Sequence, residues 1–529
     1  MNSLRAAILA LGMAAGLARF GAALPALAEG AERAAALDAA IATITPDERR
    51  EHAALLADDT LEGREAGKRG GRAAARYLEN QMRAAGMRPA GDNGGYLQRF
   101  SPGYQNLLAM LPGADPALAG EYILVGAHYD HVGYGTWQNS NGPTGYIHNG
   151  ADDNASGVAA LLELMDALKR SRWQPRRSIL IAFWDGEEIN LLGSRHWVKQ
   201  PTVPLSSVRL AVNIDMLGRM KNNRLEVGGT RTAPGLRRLL SSSHLPDGMW
   251  LDFSWEFKEN SDHWPFYMAG TPSLLIHTGL HDDYHTPRDD VEKLNVDGLR
   301  MAAAYVMEVV CQAADAAALP PFRPASRGET PGLQRVRQAP LPPAAPRLGL
   351  TWLWAKEGEA HALRVESMAP GSAAQRAGLR PGDRIAAIDG LPVANEFHLA
   401  AAVLRAERQL TLRIERPGAE PTDVPVALDG SPTQLGVSWR EDDAEPGAVF
   451  LTRVIPHSPA ARAGLRVNDR LYALTGEPLT TGDALLERVR KELAERRETL
   501  QFEVETAGRI RTVDVDLRLP TEAEGDATL

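Results

Sequence analysis

The chain has 529 residues, of which 44% are hydrophobic and 24% charged, and its formal net charge is -9 at pH 7. This length predicts two to four domains, and the composition is typical of a soluble globular protein rather than a disordered or fibrous one. The negative charge, without a basic stripe, argues against a nucleic-acid-binding surface.

The first 28 residues show the three-part pattern of a secretory signal peptide. Arg5 gives a positive start, residues 6–18 form a short apolar run, and residues 26–28 (Ala-Leu-Ala) form a small-residue cleavage site. A membrane anchor is the alternative, but this run is shorter than the ~20 residues that span a bilayer, and Arg19 interrupts it. We therefore predict a periplasmic or secreted mature chain without a membrane span.

Residues 29–318 are predicted to form an α/β domain. Between residues 158 and 168, apolar side chains recur at helical spacing. Short, continuous apolar runs, which are typical of strands buried on both faces of a mainly parallel sheet, occupy residues 122–127, 178–183, 210–214 and 273–277. The pattern predicts a β-α-β unit and a mainly parallel central sheet flanked by helices.

Polar side chains of metal-ligand or acid/base type follow each of these strands. They are His128, Asp130 and His131 after the first strand, Asp185, Glu187 and Glu188 after the second, Asp215 after the third and His285 after the fourth, with Asp152 and Asp153 before the helix. In open α/β sheets, ligands bind at this edge. A lone histidine or aspartate there is usually an ordinary hydrogen-bonding residue, whereas adjacent carboxylates repel each other unless a cation compensates them. The clusters therefore indicate a metal site.

Five segments resemble, in order, the co-catalytic zinc aminopeptidases, whose relatives include glutamate carboxypeptidase and glutaminyl cyclase. The segments are GAHYDHVG (126–133), NGADDNASG (149–157), FWDGEEINLLGS (183–194), NIDMLG (213–218) and DDYHTP (282–287). Each segment alone is a weak signal, but the ordered set is specific. The resemblance implies a zinc exopeptidase fold with two zinc ions per chain.

The resemblance also implies a role for individual residues. Asp152 would bridge the two zinc ions and precede a cis peptide bond to Asp153. The remaining metal ligands would be His128 and Asp215 at one ion and Glu188 and His285 at the other. Asp130 would orient His128 from outside the ligand set, and Glu187 would be the general base.

Two further parts of this domain are candidates for contact with substrate. Asp262 and His263, in the segment NSDHWPF, match a recurring segment of the family and are candidates for the substrate pocket, with an ordinary packing role as the alternative. The loop of residues 132–147 carries aromatic and glycine residues, so it is either a wall of the pocket or a surface loop.

The implied function is that of an exported zinc-dependent aminopeptidase. A water activated by two metals would attack the N-terminal peptide bond, and Glu187 would act as general base. Three alternatives stay open: a glutaminyl-cyclase-like acyltransferase with one zinc, a carboxypeptidase acting on acidic peptides, and a metal-free peptide-binding protein. The complete ligand set favours two metals, and the presence of Glu187 beside it argues against a metal-free protein.

A proline-rich stretch and an internal repeat follow the α/β domain. Residues 319–345 are rich in proline and polar residues, which predicts an extended, semi-rigid linker. Two copies of one domain, residues 346–429 and residues 430–519, precede a tail of residues 520–529. The copies share the block APGSAAQRAGLRPGDRIAAIDGLP, which returns about 86 residues later as IPHSPAARAGLRVNDRLYALTGEP, and this period suits two small domains.

Both copies resemble the PDZ domains attached to periplasmic proteases, and they are therefore expected to be small and rich in β-strands. The resemblance implies that the loops Leu348-Gly349-Leu350 and Leu435-Gly436-Val437 present backbone amides to a terminal carboxylate, while the peptide adds as a strand to a sheet edge. The first copy has the motif RPGDRI, where the second has RVNDRL without the proline and glycine. Peptide substrates and peptide or protein C-termini are the expected partners, and packing against the peptidase domain is the alternative role of the copies.

Overall fold

The structure is a computed structural model, and it describes residues 39–40, 46–171, 173–357 and 360–518. The predicted signal peptide and the predicted tail lie outside these residues. The chain divides into two compact units, Met1–Pro331 and Gly332–Leu529, and this division falls within the predicted linker. In the described part of the chain, no helix is both long enough and apolar enough to cross a membrane.

A nine-stranded sheet forms the centre of the N-terminal unit. Its strand order is β1-β3-β5-β4-β6-β9-β7-β8, and β2 pairs with β3. The strands are β1 (Arg88–Pro89), β2 (Leu97–Phe100), β3 (Tyr104–Leu111), β4 (Tyr122–His128), β5 (Ser178–Trp184), β6 (Val208–Ile214), β7 (Arg224–Gly228), β8 (Trp250–Ser254) and β9 (Ser273–His277).

The four predicted strands are the parallel centre of this sheet. They are β4, β5, β6 and β9, and each runs parallel to its neighbour among the four. Both flanking strands, β3 and β7, run antiparallel to them. The predicted α/β fold is therefore confirmed, and the predicted parallel pairing holds for the centre of a sheet that is mixed as a whole.

Seven helices accompany this sheet in the described part of the unit, and two hydrophobic clusters fix its faces. Ile179 and Ile181 of β5 belong to the larger cluster, which includes residues of the third and seventh helices. Leu180 packs in the other cluster with Trp197 and Phe266 of the fourth and sixth. The helices are α1 (Pro46–Leu56), α2 (Arg69–Ala84), α3 (Gly157–Arg170), α4 (Leu192–Lys199), α5 (Leu236–Ser242), α6 (His263–Met268) and α7 (Val296–Asp315). Burial of each such side chain contributes about 1.5–3 kcal/mol to the free energy of folding. The packed sheet therefore holds the ends of its strands in fixed positions.

The stretch predicted as an extended linker is partly helical. It contains a short turn of 3-10 helix, Pro324–Gly328, and the helix α8 (Pro331–Gln338). Proline is compatible with the first position of a helix, because its fixed φ suits the first turn and no hydrogen bond is lost there. Glu329 forms an ion pair with Arg231, 2.6 Å from Oε2 to Nε, so the beginning of this stretch packs on the N-terminal unit.

The C-terminal unit contains two copies of one topology, which confirms the internal repeat. The strand orders are β10-β11-β12-β14-β15, with β13 on β12, and β16-β17-β18-β20-β21, with β19 on β18. The elements are β10 (Leu350–Glu357), β11 (Ala360–Met368), α9 (Ala373–Arg376), β12 (Arg384–Ile388), β13 (Leu391–Pro392), α10 (His398–Arg405), β14 (Gln409–Glu415) and β15 (Thr422–Ala427), then β16 (Val437–Arg440), β17 (Val449–Val454), α11 (Pro459–Arg462), β18 (Arg470–Leu474), β19 (Glu477–Pro478), α12 (Gly482–Ala494), β20 (Thr499–Thr506) and β21 (Arg509–Asp516).

Glycine is required in the loop that precedes the first strand of each copy. Gly349 has a φ of +71° and Gly436 a φ of +77°. A Cβ atom at these positions would lie 2.4 Å from the Cβ of Ser372 and 2.2 Å from the Cβ of Ser458, respectively. Each serine accepts a hydrogen bond from the amide three residues later and so begins the short helix that follows. The loop and the helix start therefore pack in direct backbone contact.

The second copy keeps its fold despite the loss of RPGDRI. Asn468 replaces Gly382 at a position of positive φ, +73° against +90°, and asparagine tolerates this region better than most residues. The carboxylates of Asp383 and Asp469 each accept a hydrogen bond of 2.9 Å from the backbone amide three residues earlier. The same turn therefore forms in both copies.

We expect Gly436→Ala to destabilise the second copy more than Gly476→Ala. The φ angles of the two glycines are +77° and +76°, so alanine adds about 1–2 kcal/mol of backbone strain at either position. At residue 436 the new methyl group also meets Ser458, whereas no atom lies within 4 Å at residue 476, and such overpacking costs about 1–3 kcal/mol more. Native-state hydrogen exchange of β17 and β18 measures the difference. Equal loss of protection in both variants would contradict the close approach.

Candidate metal centre

Two groups of metal-ligand side chains meet at the carboxyl ends of the parallel strands. Within each group, one ligand atom per residue lies within 4.8 Å of every other. Asp153 belongs to both groups. The side chains of Asp215 and His285 are 14% exposed, so the site has an open side. The groups are His131, Asp153, Glu188 and His285, and His128, Asp153 and Asp215.

The strand ends bring these residues together from distant parts of the sequence. His128 is the last residue of β4, and Asp215 follows the last residue of β6. Glu188 lies in the turn between β5 and α4, while Asp153 lies in the irregular turn Ala151–Ser156 that leads into α3. Parallel strands end at the same edge of a sheet, which explains why five separate segments, including the one that carries His285, form one site.

Asp153 is the carboxylate that the two groups share. Its Oδ1 lies 3.3 Å from Nε2 of His128, and its Oδ2 lies 3.0 Å from Nε2 of His285. Burial would raise the pKa of Asp153, but His131, His128 and His285 hold it well below its usual range. The cis peptide bond of this segment joins Asp153 to Asn154, one residue later than expected.

Asp152 does not occupy the bridging position that the sequence indicated. Its Oδ1 accepts hydrogen bonds from the amide of Gly218 (2.5 Å) and the hydroxyl of Ser156 (3.0 Å). Its Oδ2 lies 3.2 Å from Nε2 of His281. The assignment of Asp152 as the bridging ligand is therefore wrong by one residue, and Asp152 supports the site from behind.

Asp289 fixes this register, and the sequence analysis missed it. One carboxylate oxygen, Oδ2, accepts hydrogen bonds from the backbone amides of Asp152 (2.9 Å) and Asp153 (3.0 Å). Burial, together with Asp152, raises the pKa of Asp289 to about 7. Because both amides point at Asp289, the turn is held in the register in which Asp153 faces His128 and His285 and Asp152 faces His281.

His131 is a further residue of the site that received no role from the sequence. Its Nδ1 lies 2.8 Å from Oε1 of Glu188, while Oε2 of Glu188 lies 3.1 Å from Nε2 of His285. The two oxygens of Glu188 therefore face different imidazoles. Burial and Asp153 would raise the pKa of Glu188, but His285 and His131 bring it down to about 2. The second histidine of GAHYDHVG is the signal that could have found this residue.

The predicted supporting residue, Asp130, contacts two predicted site residues. Its Oδ1 accepts a hydrogen bond from the backbone amide of Glu187 at 3.1 Å. Nδ1 of His128 lies 3.2 Å from the backbone carbonyl of Asp130 and 3.9 Å from its carboxylate. Asp130 thus connects Glu187 with His128, and the orientation of the imidazole depends on the backbone more than on the carboxylate.

The two candidates for the substrate pocket are almost completely buried. Oδ1 of Asp262 accepts a hydrogen bond from the hydroxyl of Ser194 at 2.5 Å, and burial raises the pKa of Asp262 to about 7, against the opposing charge of His128. His263 packs against Phe257, and its Nε2 lies 3.0 Å from the carbonyl of Lys258. Both residues therefore lie behind the site rather than on an open wall.

The loop of residues 132–147 is attached to the segment that carries His285. The amide of Asn141 donates to the carbonyl of His285 at 2.8 Å, and the side-chain amide of Asn141 donates to the carbonyl of Tyr284 at 3.2 Å. Trp137 in this loop is 83% exposed. The loop therefore borders the segment that carries His285, and it carries an exposed aromatic side chain.

A buried arginine supports the turns that carry the ligands. Arg64 is fully buried, and its guanidinium donates to the carbonyls of Leu56, Tyr129, Asn149, Gly150 and Asp153. Burial lowers the pKa of Arg64 to about 10, while Asp153 and Asp130 favour its charge. Arg64 therefore remains a cation at neutral pH and joins four separate backbone segments.

The residues present fit zinc. Zinc binds imidazole nitrogen and carboxylate oxygen, and catalytic sites keep a coordination position open for water. One group offers two nitrogen and two oxygen ligands, and the other offers one nitrogen and two oxygens. In the described residues, Nε2 of His131 and Oδ2 of Asp130 are buried without a hydrogen-bond partner. Such buried, closely spaced carboxylates need a cation among them.

Comparison with known proteins agrees with this chemistry. Residues 106–310 match the model of peptidase family M28, and residues 364–416 and 450–503 match the PDZ domain. Leupeptin-inactivating enzyme 1 of Streptomyces exfoliatus is 28% identical over 211 residues, covering 39% of this chain and 42% of that protein. Aminopeptidase YwaD of Bacillus subtilis is 29% identical over 203 residues, covering 36% and 41%. A probable glutamate carboxypeptidase of Arabidopsis thaliana, AMP1, is 28% identical over 205 residues, covering 35% and 26%. The chain thus spans less than half the length of these curated relatives.

We expect Asp153→Asn to weaken zinc binding at both groups more strongly than Asp152→Asn does. Asparagine removes the charge that both groups share at residue 153, which should lower affinity by more than about 100-fold, whereas a change outside the ligand set costs at most about 10–100-fold. Competition with a chromophoric chelator and metal analysis of the dialysed protein measure the two variants. A larger loss in Asp152→Asn would restore the original assignment.

Proposed function

We propose that this chain is a zinc-dependent aminopeptidase that removes N-terminal residues from peptides, because residues 106–310 match the model of peptidase family M28. The observation that carries the proposal is the pair of ligand groups that share Asp153, with Glu187 at their edge. Zinc held by these two groups would supply a polarised water for hydrolysis of a peptide bond.

Glu187 is the general base in this proposal. Two zinc ions, one at each group, would polarise the peptide carbonyl and lower the pKa of a water at the site. Glu187 then accepts the proton of that water and returns it to the departing amine. Burial raises the pKa of Glu187 well above its usual range, His128 opposes the shift and Glu188 adds to it. A carboxylate with a raised pKa is a stronger proton acceptor.

The arginines beside the site favour an aminopeptidase over a carboxypeptidase. A carboxypeptidase needs a cation for the terminal carboxylate of its substrate. Arg64 is engaged by backbone carbonyls, and Arg219 pairs with Asp283, with 3.0 Å between Nη2 and Oδ2, and lies 3.8 Å from Asp289. The carboxylates that surround the site instead suit the ammonium group of a peptide N-terminus.

We expect Glu187→Gln to lower kcat for aminoacyl-4-nitroanilides by about 10²–10⁴-fold, because the variant cannot accept the proton. Its zinc content should equal that of the unaltered protein, since Glu187 is in neither ligand group. Chelation should remove the activity of the unaltered protein and added zinc should restore it. Glu256→Gln, at an exposed glutamate paired with Lys258, is the control and should retain full activity.

A broad substrate panel decides between the proposed reaction and the alternatives. Loss of zinc from Glu187→Gln would assign that residue to metal binding instead. If the zinc-loaded protein releases no nitroaniline from any aminoacyl substrate, the aminopeptidase proposal fails. Release of glutamate from acidic peptides would then identify a carboxypeptidase, and cyclisation of N-terminal glutamine would identify an acyltransferase.

We also propose that the chain is exported to the periplasm or secreted. The charge, apolar run and cleavage pattern of residues 1–28 support this location. We expect the protein recovered from the periplasm or medium of a Gram-negative host to begin at Glu29, as read by N-terminal sequencing. Recovery of an uncleaved chain from the cytosol alone would contradict the proposal.

Finally, we propose that the PDZ copies bind peptide or protein C-termini. The strands β10 and β16 follow the loops Leu348-Gly349-Leu350 and Leu435-Gly436-Val437, and each is an edge strand to which a peptide can add. In the second copy, Glu441 of the segment after β16 accepts a hydrogen bond of 2.5 Å from the amide of Gly482 in α12. Trp352 of β10 makes a comparable contact in the first copy, where its indole donates to the carbonyl of Glu396 at 3.2 Å. The first copy is therefore favoured as the binding site by its complete RPGDRI motif.

A further inference from the structure

A cavity of about 540 Å³ in the C-terminal unit has walls from both PDZ copies. The first copy contributes its loop Leu348-Gly349-Leu350, Trp352 of β10, and Val403 and Leu404 of α10. The second copy contributes Arg453 of β17 and the residues after it, Ile455, Pro456 and His457. The expected peptide groove of the first copy is therefore completed by the second copy.

Contacts between the copies hold this wall in place. The ring of His457 lies 5.3 Å from the ring of Phe397 and 6.3 Å from that of Trp352, measured between centroids. The amide of Leu341 donates to the carbonyl of Thr452 at 2.8 Å, so the segment that leads into the first copy lies along β17 of the second. The cavity is thus a feature of the assembled tandem.

Arg453 brings a positive charge to the cavity without a matching negative one. Its Nε donates to the carbonyl of Pro342 at 2.8 Å, and its Nη1 lies 3.4 Å from the hydroxyl of Ser438. Among the described residues, no carboxylate forms an ion pair with Arg453. Two other arginines of the same copy are paired, Arg440 with Asp442 at 3.3 Å and Arg470 with Glu445 at 2.7 Å. Arg453 is therefore available to an anionic ligand.

The first copy has a different residue at the position of Arg453. The register of β10 with β11 pairs Thr351 with Ser367, and the register of β16 with β17 pairs Ser438 with Arg453. Both ladders are irregular at the next residue, so the two positions correspond. The arginine is thus specific to the second copy, and it faces the groove of the first.

Apart from Arg347, whose guanidinium donates to backbone carbonyls, the remaining lining of the cavity is mainly apolar. Leu348, Leu350 and Val403 contribute aliphatic surface, Trp352 contributes an aromatic ring, and Ile455 closes the side that belongs to the second copy. A ligand with an apolar side chain next to a carboxylate would pack against the apolar lining and form an ion pair with Arg453. The free carboxyl end of a peptide with an apolar last residue has this chemistry, whereas an internal peptide segment does not.

We propose that Arg453 of the second PDZ copy binds the terminal carboxylate of a peptide held in the groove of the first copy, so that the tandem forms one composite site. The inference rests on the proposed peptide binding by the PDZ copies, but it is independent of the peptidase reaction. The loop Leu348-Gly349-Leu350 and the edge of β10 hold the peptide backbone, and Arg453 supplies the charge.

The test compares free and amidated C-termini on the full-length protein. The protein carries Glu187→Gln, and fluorescein blocks the N-terminus of each octapeptide, so the probes are not hydrolysed. Fluorescence anisotropy should show that peptides ending in Leu, Val or Phe bind about 10–100-fold more tightly as free acids than as amides, as expected for a charge-assisted hydrogen bond. Arg453→Gln should abolish this difference by weakening the binding of the acids alone.

Arg413→Gln is the matched control, because Arg413 lies in the first copy outside the cavity and forms a partly exposed pair with Asp423. This variant should bind both probes as the unaltered protein does. The proposal is overturned if Arg453→Gln weakens the acids and the amides equally, which would indicate a structural role. Failure of all free acids to bind, or unchanged preference for the acid in Arg453→Gln, would overturn it as well. Turnover of nitroanilides by the protein with Glu187 intact reports separately on the peptidase proposal.

Discussion

Electrostatic repulsion among carboxylates at one edge of the sheet is the constraint on which the site depends. Like charges in a buried environment raise the pKa of one another unless cations lie among them. Imidazoles meet part of this requirement. Burial would lower the pKa of His285, but Glu188 and Asp153 raise it to about 11, so in the absence of metal this histidine itself carries a positive charge. A pair of dications meets the requirement more completely, which connects the crowding directly with hydrolytic chemistry. The carboxylates concerned are Asp130, Asp152, Asp153, Glu187, Glu188, Asp215 and Asp289.

Arg64 couples this charged edge to the rest of the N-terminal unit. Its guanidinium binds carbonyls beside His128 and on both sides of the turn that carries Asp153, as well as the end of α1. A buried guanidinium that donates to carbonyls gains several charge-assisted hydrogen bonds. Its positive charge also lowers the free energy that is needed to bury the charged carboxylates nearby. One residue thus fixes the geometry of the turns and contributes to the charge balance of the site, and its contact with Asp153 is to the backbone carbonyl rather than to the carboxylate.

The sequence predicted much of this arrangement because hydrophobic patterns and strand-end chemistry are local signals. The four apolar runs became the parallel centre of the sheet, and the polar residues after them meet at one edge. The register of Asp152 and Asp153 was not predictable, because two adjacent aspartates are chemically identical and only the contact with Asp289, 136 residues further on, selects between them. Arg64 was missed for a similar reason, since nothing in its local sequence shows that its partners are backbone carbonyls. The helix α8 was missed because prolines indicate an extended chain, although they also suit a helix start.

The two PDZ copies also show local contacts that are the same in both copies and distant contacts that differ between them. Each copy keeps the glycine that its loop requires, Gly349 or Gly436, and the serine that packs on it, so the local fold is fixed twice. Two of the residues that differ, Glu441 and Arg453, have contacts across a groove or line a cavity of the other copy. Arg453 stands where the first copy has Ser367, and it lines a cavity of the first copy. In the second copy, Glu441 connects the segment after β16 to the start of α12. Both copies thus keep the same packing, but the cavity lies at the first copy and the arginine without an ion pair belongs to the second. This arrangement is more consistent with one shared binding site than with two independent ones.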